Sequence, residues 1–218
     1  RPPAGAVRRA PGMSAWGYAA LLAIPLAAAA LRCVRPWFAL NAIVSLSCAA
    51  IVLAVRGAVS PLFFGLIVSV AADWFMAHKA GRTGWYLCGI GGFFAAHALF
   101  LWDVLLDASL APLPFLAFAL LAAGYGLYLA RRILPRVSDA RMRLAIVLYM
   151  LISAASLGLS LAAPGAARTL GLLCIVLSDT LIAESDFAGN RAAGAWILPT
   201  YFLCHILLAL SAVVEKGM

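Results

Sequence analysis

Charge is scarce in this chain, and acid is scarcer still. Of 218 residues only 11% are charged, and eight acidic residues stand against sixteen basic ones. A soluble domain carries about 25% charged and about 45–50% apolar residues; here 66% are apolar, and mean hydropathy is +1.04. So few charges do not cover the water-facing surface of a globule this size. A chain this apolar also does not stay disordered. No long polar stretch is present, so there is no room for a soluble domain. Five cysteines (Cys33, Cys48, Cys88, Cys174, Cys204) are scattered without CxxC spacing. They read as small apolar fillers rather than a disulfide framework or a zinc finger. Neither HExxH nor Gly-x-Ser-x-Gly occurs, which removes the signatures of a zincin and of a nucleophile elbow. The net charge of +8 lies in short gaps between apolar runs. That placement reads as membrane topology and lipid head-group contact, with no nucleic acid partner.

What is present is a series of long apolar runs. They cover Ser14–Leu31, Pro36–Val55, Pro61–His78, Gly84–Leu106, Leu110–Ala130, Met142–Ala162, Ala167–Ser185 and Gly194–Val214. Each approaches the ~20 residues a bilayer crossing needs. None alternates as a barrel strand does, and backbone polar groups in lipid must be satisfied within the segment. The expectation is an all-α, polytopic integral membrane protein with eight transmembrane helices, forming one domain over residues 13–218. Residues 1–12 are expected to be a disordered or artefactual tail, Met13 resembling a start. Trp16, Trp37, Trp85 and Trp196 fall near run ends, where interfacial aromatics belong. The loops after runs 1, 3, 5 and 7 carry ten Lys and Arg against six on the other side. This predicts that the odd-numbered loops face the cytoplasm; the preference for Arg over Lys and the abundance of Ala point to a bacterial inner membrane.

The two halves resemble one another. An offset of 106 sets Gly65-Leu66, Asp73 and Ala77 over Gly171-Leu172, Asp179 and Ala183; an offset of 108 sets His97 over His205, Arg35 over Arg143 and Ser45 over Ser153. Two parallel four-helix repeats, about 14–106 and 110–214, are therefore expected. They would be related by an axis along the membrane normal.

Ionisable groups inside a span cost about 2.5–3.5 kcal/mol on insertion scales and are functional candidates by default. Here they share one layer. Asp73, Asp179, Tyr149 and Tyr201 all lie five to seven residues from the odd-loop ends of their runs. That places them roughly 8–11 Å below that interface at 1.5 Å per residue. His97 and His205 lie somewhat deeper. Ser69 stands one turn before Asp73, and Ser178 directly precedes Asp179. Gly65 with Ser69, and Gly89, Gly91 and Gly92, read as small residues at helix contacts. Asp103, Asp107, Glu184 and Asp186 fall at run ends, where a solvated face accounts for them.

Paired carboxyls in an apolar site suit acid–base work. An apolar site favours the neutral acid, and a second carboxyl nearby splits the pair into one acid and one base. Such a pair can form an oxocarbenium-like ion and supply water to it. Two Asp with two His also form a zinc-compatible donor set, so metal-dependent cleavage of a lipid amide or ester stands as an alternative. A proton-coupled transporter is another, since carriers also use repeats and midplane carboxyls. The one-sided polar layer favours an enzyme over both a carrier and a structural scaffold.

The stretches Gly65-Leu-Ile-Val-Ser-Val-Ala-Ala-Asp73, Gly91-Gly-Phe-Phe-Ala-Ala-His97, Leu177-Ser178-Asp179-Thr-Leu-Ile-Ala183 and Thr200-Tyr201-Phe-Leu-Cys-His205 resemble the YhhN family of membrane proteins, as do Arg35-Pro36 and Tyr149. The resemblance implies eight helices and lysoplasmalogenase activity. That activity hydrolyses the vinyl-ether bond of a lysoplasmalogen to a fatty aldehyde and glycerophospho-ethanolamine or -choline. It implies Asp73 and Asp179 as the catalytic pair, with no cofactor. His97, Tyr201, His205, Tyr149, Ser69 and Ser178 are then expected to support them or contact substrate. The partner is a lysophospholipid drawn from the bilayer, its phosphate lying near Arg35, Lys79, Arg82, Arg143 or Arg191.

Overall fold

A computed structural model describes residues 15–108, 112–163 and 165–217. The N-terminal tail, Met13, the start of the first run and the start of the fifth at Leu110 lie outside the described residues, as does the Trp16 side chain. Among the described residues there are eight α-helices and no strand. They are α1 (Ala15–Val34), α2 (Phe38–Arg56), α3 (Pro61–Ala77), α4 (Thr83–Asp107), α5 (Pro112–Tyr128), α6 (Ala140–Ser160), α7 (Ala166–Asp186) and α8 (Gly194–Gly217). Six helical segments are long and apolar enough to cross a membrane, which makes this an integral membrane protein; α3 and the Ala20–Val34 part of α1 are shorter. At 17 residues α3 spans about 25 Å, less than a ~30 Å hydrocarbon core.

Local chemistry sets the helix ends. Ser60 caps α3 by accepting from the Phe63 N–H, with Pro61 in the first turn, where its missing N–H costs nothing. Asp139 caps α6 by accepting from the Arg141 and Met142 N–H groups. Gly57, at φ 72°, ends α2 in the left-handed conformation. Beyond Tyr128 the chain continues as a π turn (Leu129–Ile133) and a 3₁₀ turn (Leu134–Arg136). The expected end at Ala130 is thus passed without a break.

Packing arranges six helices in a ring. α2 meets α3, α3 meets α4, α4 meets α6, α6 meets α7, α7 meets α8, and α8 returns to α2. α1 lies outside against α2 and α8, and α5 lies outside against α6. α3 and α4 approach closely because glycine permits it. A Cβ on Gly65 would stand 2.4 Å from a Phe100 ring carbon, and one on Gly92 would stand 2.9 Å from the Ala72 Cβ. Gly91 differs from its expectation: nothing lies within 4 Å of its Cβ position, so it is not a helix contact.

The charges at run ends are not simply solvated. Asp103 is 2% exposed; it accepts from Arg56 at 2.5 and 3.0 Å and from the Leu62 N–H at 3.3 Å. Arg56 also reaches Glu215 at 3.2 Å. Arg168, 2% exposed, bridges Asp107 at 2.8 Å and Glu215. This network ties the even-loop ends of α2, α4, α7 and α8 together. At the opposite end Glu184 pairs with Arg132 and accepts from Tyr128, while Asp186 pairs with Lys79 and accepts from Tyr86. A buried carboxylate such as Asp103 is tolerated where a cation and a backbone N–H together satisfy its oxygens.

Candidate active site

Five ring helices, α3, α4, α6, α7 and α8, bring the polar layer together near the odd-loop end. Asp73 on α3 accepts a 2.8 Å hydrogen bond from the Tyr201 hydroxyl on α8. Asp179 on α7 accepts one of 2.6 Å from the Tyr149 hydroxyl on α6. The absent intramembrane Lys or Arg partner is thus replaced by phenols, which donate without adding a second charge to desolvate. His97 on α4 is fully buried, with Nε2 3.4 Å from an Asp179 carboxylate oxygen and its ring edge-on to Tyr149 at 5.2 Å. His205 is also fully buried. Its ring packs on Tyr201 at 4.3 Å, and its Nδ1 lies 3.0 Å from the Tyr201 carbonyl. A carbonyl only accepts, so Nδ1 is the protonated nitrogen.

Asp73 and Asp179 both line one cavity of about 230 Å³, whose wall also includes Arg32, Asn41, Lys79, Phe93 and Tyr201. A second chamber opens from Asp179, lined by Tyr86, Ile90, Tyr125, Ile146, Met150 and Phe187 among others, and it is almost wholly apolar. Met76, Phe93, Asp179 and Ile182 border both. The site is therefore a polar chamber with cations on its wall, joined at a carboxylate to an apolar chamber. Such a shape accepts an amphiphile with its reacting bond at the junction.

The expected residues divide. Asp73, Asp179, Tyr149 and Tyr201 come together around the chambers, with His97 beside Asp179 and His205 behind Tyr201. Ser69 is fully buried, and its hydroxyl donates to the Gly65 carbonyl of its own helix. Ser178 borders the polar chamber, but its hydroxyl donates across to the Ile197 carbonyl of α8. Of the five candidate head-group cations, Lys79 lines the polar chamber. Arg35 lies over Trp37 and Arg82 over Trp85, both exposed. Arg143 donates to the carbonyls of Val137 and Ser138, and Arg191 is exposed in a 3₁₀ turn after α7. None of those four lines the polar chamber.

Arg32 and Asn41 were not expected. Arg32 donates from Nε to the Asn41 side-chain oxygen at 2.7 Å on the chamber wall. The repeat held the signal for Asn41, because the 108-residue offset sets it under Tyr149. Among the described residues, no three His, Cys, Asp or Glu side chains converge as a metal-binding group.

The fold and cavity define a helical membrane protein with two carboxyls facing one chamber. The chain belongs to the YhhN family, whose model matches residues 34–212. No curated protein and no solved structure matches it.

Proposed function

We propose that this chain is a membrane-embedded lysoplasmalogenase, hydrolysing the vinyl-ether bond of an alkenyl lysophospholipid by paired-aspartate acid–base catalysis. The observation that carries the reading is the placement of Asp73 and Asp179 on the wall of one polar chamber that opens into an apolar one at Asp179. Family membership supports the same activity. The glycerophosphate end of the substrate takes the polar chamber, with Lys79 and Arg32 meeting its phosphate. The hydrocarbon takes the apolar chamber.

The chemistry then follows. One carboxyl, protonated, donates its proton to the alkene carbon further from oxygen. The double-bond electrons form that C–H bond and leave an oxocarbenium ion. The other carboxyl, ionised, faces the cation and takes a proton from the water that adds to it. The hemiacetal collapses: its C–O bond to glycerol breaks, a proton passes to the glycerol oxygen, and the hydroxyl loses its own proton to become the aldehyde. Tyr201 holds Asp73 on the wall of the polar chamber, Tyr149 holds Asp179 where the chambers meet, and His97 steadies Asp179.

In this reading all eight helices cross the bilayer as two parallel repeats, and the chambers open toward the cytoplasm, because the loops at that end carry most of the Lys and Arg. The ring supports the repeat: α2–α8 and α4–α6 are equivalent contacts when residues 14–106 are laid over 110–214. The test supplies purified protein with alkenyl, alkyl and acyl lysophospholipids in heavy-oxygen water. The reading expects aldehyde from the alkenyl lipid alone, with the heavy oxygen in the aldehyde. Fatty acid from the acyl lipid, or label in the glycerol product, would overturn it.

A further inference from the structure

The apolar chamber reaches α5 at Tyr125. Tyr125 lines it and also lines a third cavity, a groove between α5, α6 and α7 bordered by Leu120, Leu121, Gly124, Leu173 and Leu177. The groove runs along α5 from Tyr128 to Leu120, about 12 Å at 1.5 Å per residue. Its outer wall is open to the surroundings: Leu120 is 64% and Leu177 47% exposed. Between groove and chamber the Tyr125 and Thr180 hydroxyls are hydrogen-bonded at 3.0 Å, linking α5 to α7. α5 packs mainly on α6, which leaves its α7 side uncovered. Gly124 keeps the groove clear, since nothing lies within 4 Å of its Cβ position.

We infer that this groove is the distal chain-binding subsite, taking the end of the hydrocarbon chain of a single-chain lipid whose reacting bond lies at Asp179. The occupant is fixed by three features. The groove meets the apolar chamber at Tyr125, which lines both. Its lining is hydrocarbon except for the Tyr and Thr hydroxyls. It opens sideways on a membrane-embedded helix pair, where an alkyl chain can enter from the bilayer without meeting water. A short chain ends within the inner chamber, and a long one passes Tyr125. The inference rests on the lysolipid reading for the identity of the head, but the groove itself is tested separately.

Gly124→Leu places a side chain in the groove from a helix position where leucine is the better helix former. The readout is the ratio of kcat/KM for a long-chain (about sixteen-carbon) over a short-chain (about eight-carbon) alkenyl lysophospholipid. Losing burial of about two methylenes lowers that ratio on the order of tenfold. The same ratio in variant and wild type overturns the subsite. The second measurement does not depend on turnover: a saturated alkyl lysophospholipid with a photoreactive group at its chain end is irradiated with the native protein. Adducts on Leu121, Leu173 or Leu177, displaced by unlabelled long-chain lysolipid but not by diacyl lipid, are the expected result. Adducts spread over the lipid-facing surface, or displaced equally by diacyl lipid, mark ordinary bilayer contact and contradict the subsite. Groove adducts from a protein that releases no aldehyde would retain the subsite and remove the lysoplasmalogenase reading.

Discussion

Tyr201→Phe removes one oxygen from the site and little else. The ring keeps its edge contacts with Phe93 at 5.9 Å and His205 at 4.3 Å, and the residue is 4% exposed, so the packing is retained. What is lost is the 2.8 Å donor to Asp73. A hydrogen bond to a charged group contributes about 1.5–3 kcal/mol, and each 1.4 kcal/mol is about tenfold in rate. The variant is expected to lose roughly 10- to 150-fold in kcat/KM for aldehyde release, and to lose up to about 3 kcal/mol of stability because the Asp73 carboxyl is left without its phenol donor. The test is a double-mutant cycle in detergent or nanodiscs with Tyr201→Phe, Asp73→Asn and the pair. If the phenol acts through Asp73, the pair is no worse than Asp73→Asn alone by more than about twofold. Additive losses, or a single variant within about twofold of the parent, would refute the coupling.

Tyr149→Phe is expected to behave likewise through Asp179, whose 2.6 Å bond is shorter, and the same cycle with Asp179→Asn checks it. The pH profile of kcat/KM should be bell-shaped, as an acid and a base working together require, and either Asp→Asn change should remove one limb. Lys79→Ala should raise KM on the order of tenfold with a smaller effect on kcat, because it removes a phosphate contact from the chamber wall. Arg168→Met takes the cation from Asp107 and leaves Glu215 with Arg56 alone, and should cost about 1–2 kcal/mol by detergent-phase melting, while exposed Arg191→Ala should stay within about 0.5 kcal/mol.

The helical class and most helix positions were legible because bilayer thickness and backbone satisfaction impose them directly on composition. The layer of Asp73, Asp179, Tyr149 and Tyr201 was legible for a related reason: polar groups are so costly at depth that each one marks itself. What was not legible depends on which way side chains turn at the helix ends, where apolar periodicity fades. Arg32 and Arg35 are three residues apart, yet Arg32 faces the chamber and Arg35 lies over Trp37 outside. Arg56 and Arg168 counted only as topology charges, but they close a part-buried network with Asp103, Asp107 and Glu215, whose partners lie 47 or more residues apart along the chain. Ser69 and Ser178 were expected beside the two carboxyls, but their hydroxyls go to backbone carbonyls, one on its own helix and one on α8. The outer position of α5, and with it the groove, follows from the ring order, which no single helix encodes.

The most direct test of the central claim measures aldehyde release from an alkenyl lysophospholipid by the purified parent, Asp73→Asn and Asp179→Asn, each shown to be folded by its melting transition. General acid–base catalysis contributes about 10²–10⁴-fold. The paired-aspartate account predicts a loss of that order in each variant, with the double variant no slower than the worse single one by more than a small factor. A folded variant releasing aldehyde at the parent's rate contradicts it.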